Sequence, residues 1–432
     1  MVKSRNLAAN FMLFIFSVIF MFLILEAILS FTKYKYLVKL DPHPPNFYKN
    51  NTEAGYDIQE NFSEGVVYSP SDFFEFKVWS NNLGCFDTPY RNEEKFVLFV
   101  GDSHTFGIVP HQNSWGQLLE KTLGFRFLKC GVPGYGTRQA LAKTKKVVSQ
   151  TIHTPKLILL GYYINDFTED YHFPMRKVDN GYLLVNMEME DIKSGRIAPT
   201  KYAGKTELFQ KYCIKEPPKN PTIQSIKCWL NKNSISYNIF KERIRNLVFK
   251  FPVIARVTTN RISFEEIVEN RSGLWHSAYS PKEFPWVDGA WKTHLNNLKA
   301  FKEYADEIEA KLLIVMIPDK RQVYPFLNPV NDMSRVADIE RPNAILQTFF
   351  KKEKIDYLDL LPSFRRYSNQ NPRKWLNREK DIYYKIDDHL NIKGNNLMRL
   401  LVGQYILERE LLGLSGKEKK LSTVINQLEN FS

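Results

Sequence analysis

The stretch Lys95-Phe96-Val97-Leu98-Phe99-Val100-Gly101-Asp102-Ser103-His104-Thr105-Phe106-Gly107 decides how this chain is read. Phe96 to Val100 is short, apolar and partly β-branched or aromatic, and charge from Arg91 to Lys95 precedes it. That is the pattern of a strand buried on both faces of a parallel sheet. The run ends in Gly101-Asp102-Ser103, and Ser114 to Glu120 then reads as a helix. A serine between a strand's carboxyl end and a helix start stands where open α/β sheets gather ligands. Backbone N–H groups there are placed to stabilise a developing oxyanion. By itself Gly-Asp-Ser is a polar turn after a strand. Its weight comes from three later stretches.

Working outward, Phe125 to Cys130 is a second strand, followed by the glycine-rich Gly131-Val132-Pro133-Gly134-Tyr135-Gly136-Thr137 and a helix from Arg138 to Gln150. Glycines at this density let backbone approach a ligand closely. Lys156 to Tyr163 is a third strand and ends in Ile164-Asn165-Asp166. Lys311 to Pro318 and Ile355 to Leu360 supply two more, preceded by helical stretches at Trp291–Ala310 and Ala344–Lys354 respectively. Strand–helix alternation of this kind predicts a mainly parallel five-stranded sheet in a three-layer α/β/α fold. Phe73 to Ser80 alternates as an edge strand does. Asp387-Asp388-His389-Leu390-Asn391-Ile392-Lys393-Gly394 leads into a helix reaching Leu412.

The pattern predicts an N-terminal tip and membrane anchor over 1–32, a stalk over 33–72 and a catalytic domain over 73–414. Within that domain, 167–286 breaks the rhythm and reads as an insertion capping the active-site face. It carries a helix at Ile235–Phe249 and a second at Ile254–Asn270. The remainder, 415–432, reads as a frayed tail.

Leu7 to Leu25 carries no charge and follows Lys3 and Arg5. At about 1.5 Å per residue it nearly spans a hydrocarbon core of about 30 Å, and Ala27 to Phe31 extends it past Glu26. No small-x-small cleavage site follows, so a single-pass signal anchor is expected. Lys33, Lys35 and Lys39 after the span leave little charge difference between its flanks, and the usual arrangement, with the short N-terminus inside and the large domain outside the cytoplasm, is expected. The formal net charge is +13, but the lysines are scattered, with no basic helix and no aromatic-studded basic strand. That argues against nucleic acid as a partner. The four cysteines, Cys85, Cys130, Cys213 and Cys228, match neither a zinc site nor a redox pair. Cys130 closes an apolar run and reads as core. An outside location permits a disulfide between Cys213 and Cys228, which flank a proline-rich loop.

Gly101-Asp102-Ser103, Gly134, Asn165 and Asp387-x-His389, with Asn391 and Gly394, stand in one order along the chain. This set resembles the SGNH, or GDSL-type, hydrolase superfamily, in its membrane-anchored bacterial branch of polysaccharide O-acyl esterases and O-acetyltransferases. The resemblance covers Asn82 to Leu412 apart from the insertion. It implies a flavodoxin-like α/β fold and a serine esterase, or acyltransferase, that needs no metal and no cofactor. It implies Ser103 as nucleophile and His389 as base. The oxyanion hole would be the N–H groups of Ser103 and Gly134 with the Asn165 side chain. Many members carry the triad acid three residues before the histidine, where this chain has Ile386. The Asp-x-His variant matches Asp387, which is preferred over the adjacent Asp388. His104 is expected to point elsewhere, Asp102 to brace the turn, and Lys320 and Arg321 to be solvated. The implied substrate is an acylated carbohydrate or small ester. The competing reading is a catalytically silent glycan-binding or assembly protein that keeps the fold.

Overall fold

The computed structural model describes residues 2–32, 34–35, 43–69, 74–179, 181–185, 223–241, 278–279, 285–324, 338–368, 381–384 and 388–431. They fall into two compact units. One lies within Met1–Pro42, Val67–Glu75 and Lys201–Arg261, the other within His43–Val66, Phe76–Thr200 and Ile262–Ser432.

The strands are β1 (Tyr48–Asn51), β2 (Gly55–Ile58), β3 (Gly65–Ser69), β4 (Phe74–Val78), β5 (Phe96–Gly101), β6 (Arg126–Lys129), β7 (Leu157–Tyr162), β8 (Arg176–Asp179), β9 (Tyr182–Val185), β10 (Lys311–Met316) and β11 (Asp356–Asp359). The helices are α1 (Val2–Ser30), α2 (Ser103–Phe106), α3 (Trp115–Leu123), α4 (Thr137–Gln150), α5 (Asp166–Tyr171), α6 (Ile223–Asn233), α7 (Pro285–Glu307), α8 (Lys320–Val323), α9 (Arg341–Glu353), α10 (Leu361–Tyr367), α11 (Ile392–Glu408) and α12 (Lys417–Glu429).

The five apolar runs form one sheet in the order β11-β10-β7-β5-β6, parallel throughout. β5 and β7 are buried along their whole length, as their unbroken apolar sequences require. From β5 the chain crosses one way through α3 to β6, then back through α4 to β7. Right-handed crossovers in opposite directions put α3 and α4 on opposite faces. α3 packs with α11, and α11 with α12, while α4, α5 and α7 pack together, giving three layers. Strand order reverses between β5 and β7, so a crevice is expected at their carboxyl ends. Ser103 follows one of these ends and Asn165 the other.

Several parts of the chain differ from the sequence reading. The expected stalk contains a folded hairpin, β1 against β2, with Phe47, Tyr48, Tyr56 and Ile58 buried. Phe74–Val78 is a strand, but belongs to a separate two-stranded sheet. The expected frayed tail holds α12, which packs on α11 with Val424 and Leu428 buried. Cys130 is core, as expected, but is also disulfide-bonded to Cys85, 45 residues earlier. Cys213 lies outside the described residues, and so does the second insertion helix at 254–270. Residues 235–241 are helical, while the rest of the first insertion helix is outside the described set.

Candidate active site

Ser103 is placed by the end of β5. Gly101 has φ +143, and a Cβ there would lie 2.3 Å from Thr105 Oγ1 and 2.4 Å from the Gly161 carbonyl oxygen. Only glycine fits such a turn. Thr105 Oγ1 donates to that same carbonyl at 3.2 Å, tying α2 to β7. Asp102 braces the turn as the sequence led one to expect. It caps α2, its Oδ1 accepting from the His104 N–H at 2.8 Å. Ser103 is the first residue of α2, so its own N–H has no partner within the helix.

His389 comes from the far end of the chain. Its Nε2 lies 2.7 Å from Ser103 Oγ. The loop carrying it is held from both sides. The Tyr384 N–H donates to the His389 carbonyl at 2.9 Å, and Tyr383 pairs with Leu390 in a short bridge. Asn391 caps α11, accepting from the Gly394 N–H at 3.0 Å, and donates to the Asp381 and Tyr383 carbonyls. A Cβ on Gly394 would sit 2.0 Å from the Ile382 carbonyl oxygen, which explains glycine there. Asn395 then joins the two halves of the site. Its Oδ1 accepts from the Trp115 N–H at 3.1 Å, while Trp115 Nε1 donates to the His104 carbonyl at 2.9 Å. Sequence reasoning missed Asn395, since an asparagine one turn into a helix reads as a solvated position.

Asp387 lies outside the described residues. Asp388 has its carboxylate 3.3 Å from Arg321 Nη2 and 3.9 Å from Lys320 Nζ. Lys320 also donates to the Tyr384 carbonyl at 2.7 Å. The expectation that Lys320 and Arg321 are solvated is therefore corrected: Lys320 is buried and both brace the His389 loop. The expectation for His104 is corrected too. Its ring stacks on Tyr163, the residue after β7, at 3.9 Å and lies 4.8 Å from the His389 ring.

The Gly134 loop is fixed by residues that the sequence reading placed in a stalk and an insertion. Tyr56 OH, from β2, donates to the Pro133 carbonyl at 2.8 Å. That carbonyl and the Gly134 N–H belong to one trans peptide and point in opposite directions. Holding one aims the other. Tyr135 OH donates in turn to the Tyr56 carbonyl at 2.5 Å. Arg176 Nη1, from β8, donates to the Gly134 carbonyl at 2.9 Å and is itself held by Glu169 at 2.6 Å. Gly134 has φ +77, and a Cβ there would meet Arg176 Nη1 at 2.4 Å. Asn165 precedes α5 at its N-cap position without capping it, and its Oδ1 is buried without a partner.

A cluster of buried acids lies under the site. Burial pushes the Asp102 carboxyl up to about 6, against the opposing pull of the His104 N–H, the positive charge of His389 and the Asn165 amide. Burial pushes Asp166 well above the carboxylate range, helped by Asp102, Asp170 and Glu169. Burial also raises Glu169, in spite of Arg176. Asp170 accepts from the Arg138 N–H at 2.9 Å and lies 2.7 Å from His294 Nδ1, joining α4, α5 and α7. Among the described residues no group of three or more His, Cys, Asp or Glu is arranged to hold a metal ion.

No protein-family profile matches the chain, and no curated protein does. Solved structures do. One is a protein assigned to the G-D-S-L lipolytic family from Desulfitobacterium hafniense, 12% identical, covering 72% of this chain and 99% of its own, with a TM-score of 0.31. Another is an acetyl xylan esterase, 13% identical, covering 73% and 98%, with a TM-score of 0.33. A third is a catalytic variant of an acetylxylan esterase from Geobacillus stearothermophilus, 10% identical, covering 74% and 95%, with a TM-score of 0.33.

Proposed function

We propose that this chain is a membrane-anchored serine esterase of the SGNH type, acting on short acyl esters. The observation that carries this reading is the 2.7 Å contact between Ser103 Oγ and His389 Nε2, made across 286 residues at the reversal point of the sheet. A serine hydroxyl becomes a useful nucleophile when a neighbouring imidazole takes its proton. His389 takes that proton as Ser103 attacks the ester carbonyl, then returns it to the leaving alcohol. Water, or a sugar hydroxyl in a transferase, resolves the acyl-enzyme by the same steps reversed. The Ser103 and Gly134 N–H groups and the Asn165 side chain receive the oxyanion.

Asp387 is the proposed triad acid, which would hold the imidazole tautomer and stabilise its cation. The engagement of Asp388 by Arg321 and Lys320 supports that choice over its neighbour. The span Ala9–Ser30, with a mean hydropathy of 2.8, supports an anchor. The Cys85–Cys130 disulfide supports a domain outside the cytoplasm. An acylated cell-envelope carbohydrate is the substrate class this reading favours. Ser103→Ala should abolish turnover of a small ester such as nitrophenyl acetate while circular dichroism stays unchanged. Full turnover in the folded variant would overturn the proposal.

A further inference from the structure

The unit containing α1 has an acid inside the apolar span. Glu26 stands within Ala9–Ser30, four residues before its end, about 6 Å along a helix. Its carboxylate is satisfied by the insertion. It accepts from Ser234 Oγ at 2.5 Å, the Ile235 N–H at 2.9 Å, the Ser236 N–H at 3.1 Å and Ser236 Oγ. Glu26 thus caps the helical stretch 235–241. That stretch is tied to α6 through Asn238 Nδ2, which donates to the Asn231 carbonyl at 2.9 Å. Ile226 and Trp229, three residues apart on one face of α6, are 55% and 62% exposed, and Phe240 on the second stretch is 65% exposed. Lys227 and Lys241, each next in sequence to one of these apolar residues and turned about 100° from it around its helix, are exposed as well, so each helix presents an apolar side and a basic one.

We propose that α6 and 235–241 lie in the interfacial layer of the bilayer that α1 crosses, with Ile226, Trp229 and Phe240 at the boundary of headgroups and acyl chains. The inference rests on the reading of α1 as an anchor. The Glu26 contacts fix the depth: whatever is bonded to this carboxylate sits at the end of the hydrocarbon span. Tryptophan favours that level, and amphipathic helices insert there by about 5–10 Å. A carboxylate so placed would be costly without donors, and the insertion supplies them.

The test uses the full chain in phosphatidylcholine vesicles carrying bromine near the headgroup end of the acyl chain, a contact quencher of tryptophan. Flotation is measured on the same samples. The wild-type protein should float and show a quenched component of its fluorescence. Trp229→Phe should float, hydrolyse a short ester as well as wild type, and lose that component. Glu26→Ala should float but show a smaller quenched component, because the helix pair is released. If wild type and Trp229→Phe float and are quenched alike, the inference is overturned. If Trp229 is unquenched and the protein sediments as a dimer, a second copy covers the face instead. If the wild type does not float, the anchor reading itself fails.

Discussion

Asp102 makes a measurable link between the site and stability. Its carboxyl is fully buried and its pKa is raised from 3.8 to about 6. Between these values the folded state binds more protons than the unfolded one, so stability falls as pH rises through the window. Above about pH 6 the ionised, buried carboxylate costs about 2 pKa units, or roughly 3 kcal/mol at about 1.4 kcal/mol each. Asp102→Asn removes the charge but keeps an oxygen to accept from the His104 N–H. Asp166 gains in the same direction, because Asp102 is one of the like charges that raise it. The variant should therefore be more stable than wild type by up to about 3 kcal/mol at about pH 8, several degrees in Tm, and little different at about pH 4. Thermal unfolding by circular dichroism across that range, in detergent, is the assay. Parallel wild-type and variant curves at all pH values would refute the reasoning.

Three further outcomes follow from named contacts. Tyr56→Phe frees the peptide that aims the Gly134 N–H. Its kcat should fall about tenfold with KM little changed, short of the roughly 10²–10³ expected for losing a donor outright; an unchanged kcat would remove Tyr56 from the site. Asp387→Asn should lower kcat strongly with little effect on KM, while Asp388→Asn should do much less. The reverse order, measured above the histidine's inflection, would move the triad acid by one residue. Replacing both Cys85 and Cys130 by Ala should lower stability by about 4 kcal/mol on loop entropy for a separation of 45 residues. Equal denaturation midpoints for variant and oxidised wild type would contradict it.

The sheet was legible because β5, β7 and β10 are apolar runs too continuous for anything but strands buried on both faces. The Ser103–His389 pair was legible because each residue sits in a block of small and polar residues that a plain strand or helix does not need. The supports of the site were not. Tyr56 and Arg176 act from segments whose local sequence has little periodicity, and their roles arise from contacts 77 and 42 residues distant. The Cys85–Cys130 bond was hidden for the same reason: pairing depends on the sheet bringing the turn at Gly84 beside the end of β6. Lys320 and Arg321 read as surface because charge usually is, yet the Tyr384 carbonyl holds Lys320 inside and Asp388 holds the half-buried Arg321. α12 was missed because its charged face dominates a short apolar stripe of Val424 and Leu428.

The central claim is that Ser103 is a nucleophile activated by His389. A fluorophosphonate reacts covalently with such a serine, and peptide mass spectrometry locates the adduct. A single adduct is expected on the peptide containing Ser103, formed much more slowly in His389→Ala and absent in Ser103→Ala. An adduct on another serine, or labelling of Ser103 at the same rate without His389, would contradict it.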